Sequence, residues 1–97
     1  MLKKQNLSKE KKVKVTFVVP GDTDSVSVVG DFNQWDPSAD PLKKRSNGTR
    51  SASVVLDPNQ RYAFRYYKEG GEWFNDEAAD DYVVNEHGDK NCIVATF

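Results

Sequence analysis

Val28-Val29-Gly30-Asp31-Phe32-Asn33-Gln34-Trp35-Asp36-Pro37 is the stretch that decides how this chain folds. A β-like run stops at Gly30. Phe32 and Trp35 follow three residues apart in an otherwise polar segment, and Asp36-Pro37 closes it. Tryptophan is large and seldom fully buried, so Trp35 has two readings: a lid folded over a core, or an exposed platform for something outside.

The residues around this turn read as strands. Upstream, Ser25-Val26-Ser27-Val28-Val29 is β-branched and alternating. Before it, Val13, Val15, Phe17 and Val19 alternate with Lys14, Thr16 and Val18, a strand with one strongly apolar face that Pro20-Gly21-Asp22 ends. Downstream, Pro41–Arg45 and Thr49–Leu56 flank Ser46-Asn47-Gly48, and Asn-Gly between extended runs is a strong hairpin signal. Arg61–Lys68 puts Tyr62, Phe64 and Tyr66 on one side and Ala63, Arg65 and Tyr67 on the other. Gly70-Gly71 reverses the chain into Glu72–Asn75. Residues 76–81 have room for one helical turn. Tyr82–Val84 and Asn91–Phe97 are extended. Eight short strands with no helical-period segment predict an all-β chain, an immunoglobulin-like β-sandwich of seven or eight short strands.

The totals bound the function. The 97 residues make one domain with one core. A net charge of −1 gives no nucleic-acid footprint. One cysteine, Cys92, rules out an internal disulfide, and one histidine, His87, leaves too few soft ligands for structural zinc. No apolar run approaches the ~20 residues of a membrane helix. The expectation is a soluble, cytoplasmic protein without cofactor or metal. Residues 1–12 carry Lys3, Lys4, Lys9, Lys11 and Lys12 with little apolar content, so they are expected to be a flexible basic tail before a domain over 13–97.

Catalysis has no foothold here. Most aspartates (Asp22, Asp24, Asp31, Asp36, Asp40, Asp57, Asp76, Asp80 and Asp81) fall in turns, where Asp serves the backbone. Asp80-Asp81 beside Glu77 is the densest acidic cluster, but it lacks calcium-loop spacing. His87 and Asp89 have no serine or cysteine to work with, and Cys92 lies in an apolar strand. What remains is aromatic surface. If Tyr67 pairs with Trp73 across Gly70-Gly71, Arg65 falls beside Asn75 on the face of Trp73. An indole flanked by a guanidinium and an amide suits a sugar, whose C–H faces stack while its hydroxyls take the hydrogen bonds. A one-residue slip would turn Trp73 into the core instead.

Gly30-Asp31-Phe32-Asn33-Gln34-Trp35, Phe64-Arg65-Tyr66-Tyr67 and Glu72-Trp73, with the Asn91-Cys92-Ile93-Val94 end strand, occur in order. With them the chain resembles the family 48 carbohydrate-binding modules. These are the early-set, immunoglobulin-like domains of isoamylases, glycogen branching enzymes and the AMP-activated protein kinase β subunit. The resemblance covers about residues 13 to 97. It implies non-catalytic binding of α-1,4-glucan chains such as glycogen, starch or maltooligosaccharides. By position, Trp35 and Trp73 match the family's two stacking tryptophans. Arg65 falls at its lysine and Asn91 at its asparagine. His87 and Asp89 fall where the family has leucine and threonine, so the apolar wedge of that loop is missing. The rival expectation is a protein-interaction sandwich that kept the fold and lost the sugar. A methionine start without a catalytic domain points to action in trans with a glycogen-metabolising enzyme or a kinase.

Overall fold

The computed structural model describes residues 2–21 and 25–97. Asp22 and Asp24, two of the aspartates assigned to turns, lie outside the described residues.

Two antiparallel sheets face each other. The strands are β1 (Leu2–Leu7), β2 (Lys12–Pro20), β3 (Val26–Gly30), β4 (Lys43–Lys44), β5 (Thr49–Leu56), β6 (Arg61–Lys68), β7 (Glu72–Phe74), β8 (Asp81–Val84) and β9 (Lys90–Ala95). One sheet runs β1-β2-β5-β4, and the other runs β3-β6-β9-β8 with β7 added beside β6. The immunoglobulin-like sandwich expected from the alternation is therefore the fold. Segment 76–80 forms turns and no helix; the one helical element among the described residues is a 3₁₀ turn at Asp31–Asn33.

The period-two pattern of β2 makes the core. Val13, Val15, Phe17 and Val19 are buried while Lys14, Thr16 and Val18 are not. From the facing sheet come Val26, Val28, Phe64, Tyr66, Cys92 and Val94. Phe17 sits at the centre, 5.0 Å edge-on to Phe64 and 5.5 Å stacked on Phe32. Cys92 is buried, and that burial pushes its thiol pKa up. Tyr66 is buried with its hydroxyl donating to Asp76 Oδ2 at 2.7 Å; burial, then this bond, push its phenol above the ordinary range.

One expectation changes, and the expected Asn47-Gly48 hairpin is found with its own geometry. The basic segment 1–12 contains a strand: β1 pairs with β2 from Leu2↔Phe17 to Leu7↔Lys12. Its lysines hide the signal because an edge strand draws its stability from one ladder and two anchors. Leu2 packs against the core, Leu7 is half-buried, and Lys4 bridges to Asp80. Lysine-rich edges also discourage pairing with other chains. At the Asn47-Gly48 hairpin only Gly48 is left-handed, at φ 84°. Arg45 N–H donates to the Thr49 carbonyl and Gly48 N–H to the Arg45 carbonyl, so the loop is one turn with a glycine bulge.

Candidate sugar-binding face

The outer face of the second sheet is built around a change of partner. The same edge of β6 pairs with β9 over Arg61–Phe64 and with β7 over Tyr66–Lys68. Arg65 lies at the seam between them. The assumed register is the one found: Tyr67↔Trp73. Cross-strand partners share a face, and with Phe64 and Tyr66 in the core, Arg65, Tyr67 and Trp73 point outward.

The seam fixes Arg65 on several sides. Its Nε donates to Asn75 Oδ1 at 2.8 Å, and Asn75 Nδ2 donates to the Lys90 carbonyl at 2.9 Å, so one amide ties the β6–β7 hairpin to β9. The guanidinium carbon lies 5.9 Å from the Trp73 ring centroid, within cation–π reach. Asp89 Oδ2 is 3.9 Å from Arg65 NH1. The Arg65 side chain is 16% exposed, held more like a wall than a free surface arginine. Trp73 is 40% exposed, and Tyr67 meets its ring edge-on at 4.8 Å.

Asn91, half-buried, accepts from Asn85 Nδ2 at 3.1 Å. Asn85 Oδ1 in turn accepts the backbone N–H groups of His87 and Asp89, which closes the β8–β9 turn. Asp89 therefore reaches the face through Arg65. His87 projects outward, its side chain 78% exposed and beside Glu86. Asn75 lies beside Arg65 as the register of the hairpin implies, whereas nothing local in the sequence marks Asn85.

Trp35 belongs to a different construction. Asn33 organises its turn, with Oδ1 accepting from Gly30 N–H at 2.9 Å and Nδ2 donating to the Val28 carbonyl and to Asp40 Oδ2. Gly30 must be glycine, since a Cβ there would come within 2.4 Å of the Ala63 carbonyl oxygen. Trp35 is half-buried and left-handed at φ 58°, and its indole N–H donates to Asp31 Oδ1 at 3.0 Å. The other Asp31 oxygen accepts from Ala63 N–H at 2.8 Å, so one carboxylate links the tryptophan to β6. Asp36 accepts from Ser38 Oγ and N–H, which hold its carboxyl below the usual range. Phe32 turns inward and packs against the core. No ring contact joins Trp35 to Trp73 among the described residues.

The two aspartates of the acidic cluster are engaged. Asp80 takes Lys4 and the Ala95 N–H, and Asp81 takes Arg61, which holds its carboxyl low. Among the described residues no group of three His, Cys, Asp or Glu side chains converges on a metal position. None of the helical segments described is long and apolar enough to cross a membrane.

The family model for carbohydrate-binding module 48 (isoamylase N-terminal domain) matches residues 6–83. That match begins inside β1 and ends before His87, Asp89 and Asn91. The chain is also similar to 1,4-alpha-glucan branching enzymes GlgB. It is 40% identical to that of Salinibacter ruber over 53 residues, covering 54% of this chain and 8% of the enzyme. It is 46% identical to that of Deinococcus radiodurans over 48 residues, 48% of this chain and 7% of the enzyme. It is 32% identical to that of Aquifex aeolicus over 56 residues, 57% of this chain and 9% of the enzyme. The matched segment thus spans less than a tenth of the length of these curated relatives.

Proposed function

This chain belongs to the carbohydrate-binding module 48 family, and on that premise we propose that it binds α-1,4-glucan chains without catalysis, with Trp73 as the principal stacking platform. The observation that carries the reading is the exposed Trp73 ring flanked by Arg65 and Tyr67. A glucose ring lays its C–H face on the indole. Arg65 and Asn91 take hydroxyls at the rim, with Asp89 as acceptor and His87 at the edge of the same turn. Trp35, held by Asp31, is the second platform. The similarity to 1,4-alpha-glucan branching enzymes supports glucan as the sugar, and a glycogen-metabolising enzyme acting in trans is the matching protein partner. The face is open and wet, so affinity is expected on the order of ten micromolar to millimolar.

The test is intrinsic tryptophan fluorescence during titration with β-cyclodextrin and maltoheptaose, repeated in Trp73→Ala and Trp35→Ala. A saturable change in the parent protein that Trp73→Ala abolishes while remaining folded is the expected result. Removing the platform costs about 2 kcal/mol, roughly thirtyfold in affinity. No response up to several millimolar, with no retardation in a glycogen-containing native gel, would sink glucan binding. One observation favours a second reading in that event: β8 is a sheet edge with Val83 and Val84 exposed, the kind of strand to which a partner's extended segment adds.

A further inference from the structure

The face described above does not end at Trp73. Three registers line up across the strands: Trp73 opposite Tyr67, Tyr67 opposite Ser27, and Ser27 bridged to Pro41. Residues so paired share one face, and each step across a sheet is about 4.8 Å, so the row Trp73–Tyr67–Ser27–Pro41 is about 15 Å long. Beyond Tyr67 the surface dips into a shallow groove of about 270 Å³, lined among others by Tyr67, Ser27, Pro37, Pro41 and Glu69. Pro37 ends the turn that carries Trp35, so the groove connects the two tryptophan-bearing segments.

We propose that this groove is a further glucan subsite, holding the glucose units that follow the one stacked on Trp73. The inference rests on the glucan reading above and extends it to ligand length. The chemistry of the groove selects the ligand class. Pro37 and Pro41 present flat apolar rings without an N–H, which suits the C–H faces of a sugar. The Ser27 hydroxyl and the Glu69 carboxylate have no hydrogen-bond partner among the described residues, and they offer a donor and acceptors to sugar hydroxyls, while the Tyr67 hydroxyl lies toward Gly71 at the Trp73 end of the row. Glu69 is the acidic group on the groove and no lysine or arginine lines it, so phosphate and other anions are disfavoured.

An added peptide strand does not fit either. The free edge of β3 is already taken, because Val28 N–H donates to the Asp40 carbonyl and Leu42 N–H to the Val26 carbonyl. A ligand here lies across the strands on side chains, and does not run along a ladder. A glucan chain, which repeats one ring with an apolar face and a hydroxyl rim, matches a row in which the rings of Trp73, Tyr67 and Pro41 are interrupted by the Ser27 hydroxyl.

The experiment compares affinities for maltose and maltoheptaose, by calorimetry or chemical-shift titration, in the full chain and in two variants. Ser27→Tyr fills the groove from an outward strand position. Pro37→Ala, at an exposed loop position, trims one wall without entering the sheet and keeps the test alive should Ser27→Tyr fail to fold. The expected result is that maltoheptaose binds at least tenfold tighter than maltose in the parent. Ser27→Tyr is expected to lower that ratio at least threefold and Pro37→Ala about twofold, with maltose affinity within twofold throughout. A ratio unchanged in folded variants overturns the subsite while leaving the Trp73 face standing. Failure of the parent to bind either sugar overturns both readings, and binding that survives Trp73→Ala overturns the premise that the chain starts on Trp73.

Discussion

Both tryptophans come shortly after a strand and a turn, and both turns use left-handed backbone, yet the chain builds them in opposite ways. At the Trp73 hairpin the positive φ values fall on Gly70 and Gly71, where they cost little. At the Trp35 turn they fall on Gln34 and Trp35, both at φ 58°, where each side chain is strained. That strain is offset by Asn33, which binds Gly30, Val28 and Asp40, and by Asp31, which holds the indole and Ala63. Trp35 is therefore fixed by its own turn with its polar handle used. Trp73 stands on a strand, its ring supported from the sides by Tyr67 and Arg65. A platform held by local polar bonds ties binding to stability. A platform carried on a sheet can be removed with the fold left intact.

The strongest way to break this contrast is Asn33→Ala. It removes three hydrogen bonds and leaves the Gly30 N–H and Val28 carbonyl without them, so urea denaturation should show a loss of about 2–3 kcal/mol. A loss under about 1 kcal/mol would show that the Trp35 turn stands without its organiser. By contrast, Trp73→Ala should cost only about 1 kcal/mol of folded stability, since it gives up the Tyr67 and Arg65 contacts of a ring that is 40% exposed and leaves no buried polar group unpaired.

The hairpin side is sharpened by a double-mutant cycle between Arg65 and Asn75 read in maltoheptaose affinity. If Asn75 works by aiming Arg65, the two alanine substitutions will be non-additive by about 1 kcal/mol. Additive effects would mean that Asn75 only joins the hairpin to β9. The smallest effect tests the strain directly. Gln34→Gly should stabilise the protein by about 0.5 kcal/mol, the left-handed penalty relieved minus the entropy that glycine adds to the unfolded chain. Destabilisation in thermal melts would indicate that the Gln34 side chain contributes contacts that outweigh its backbone strain.

Much of this was open to reading in the chain itself. Period-two alternation in Val13–Val19 and Arg61–Lys68 assigns strands and faces without any partner in view, because the pleat alone sends neighbours to opposite sides. The five lysines of residues 1–12 concealed β1, since an edge strand needs only Leu2 and Leu7 as anchors and takes the rest of its stability from the β2 ladder. Asn85 was equally hidden, because its role is to close a turn whose shape depends on β8 meeting β9.

The sequence by itself determined the sandwich, the inward faces and the chain reversals at Asn47-Gly48 and Gly70-Gly71, because alternation, glycine position and turn chemistry act over a few residues. Only the tertiary structure decided that β6 changes partner at Arg65, that Asn75 bridges the seam to Lys90, and that Trp73, Tyr67, Ser27 and Pro41 form one row. Those facts depend on which strands pair and in what register. Register is set by the packing of the whole core against both sheets, and it moves every outward side chain when it shifts by one.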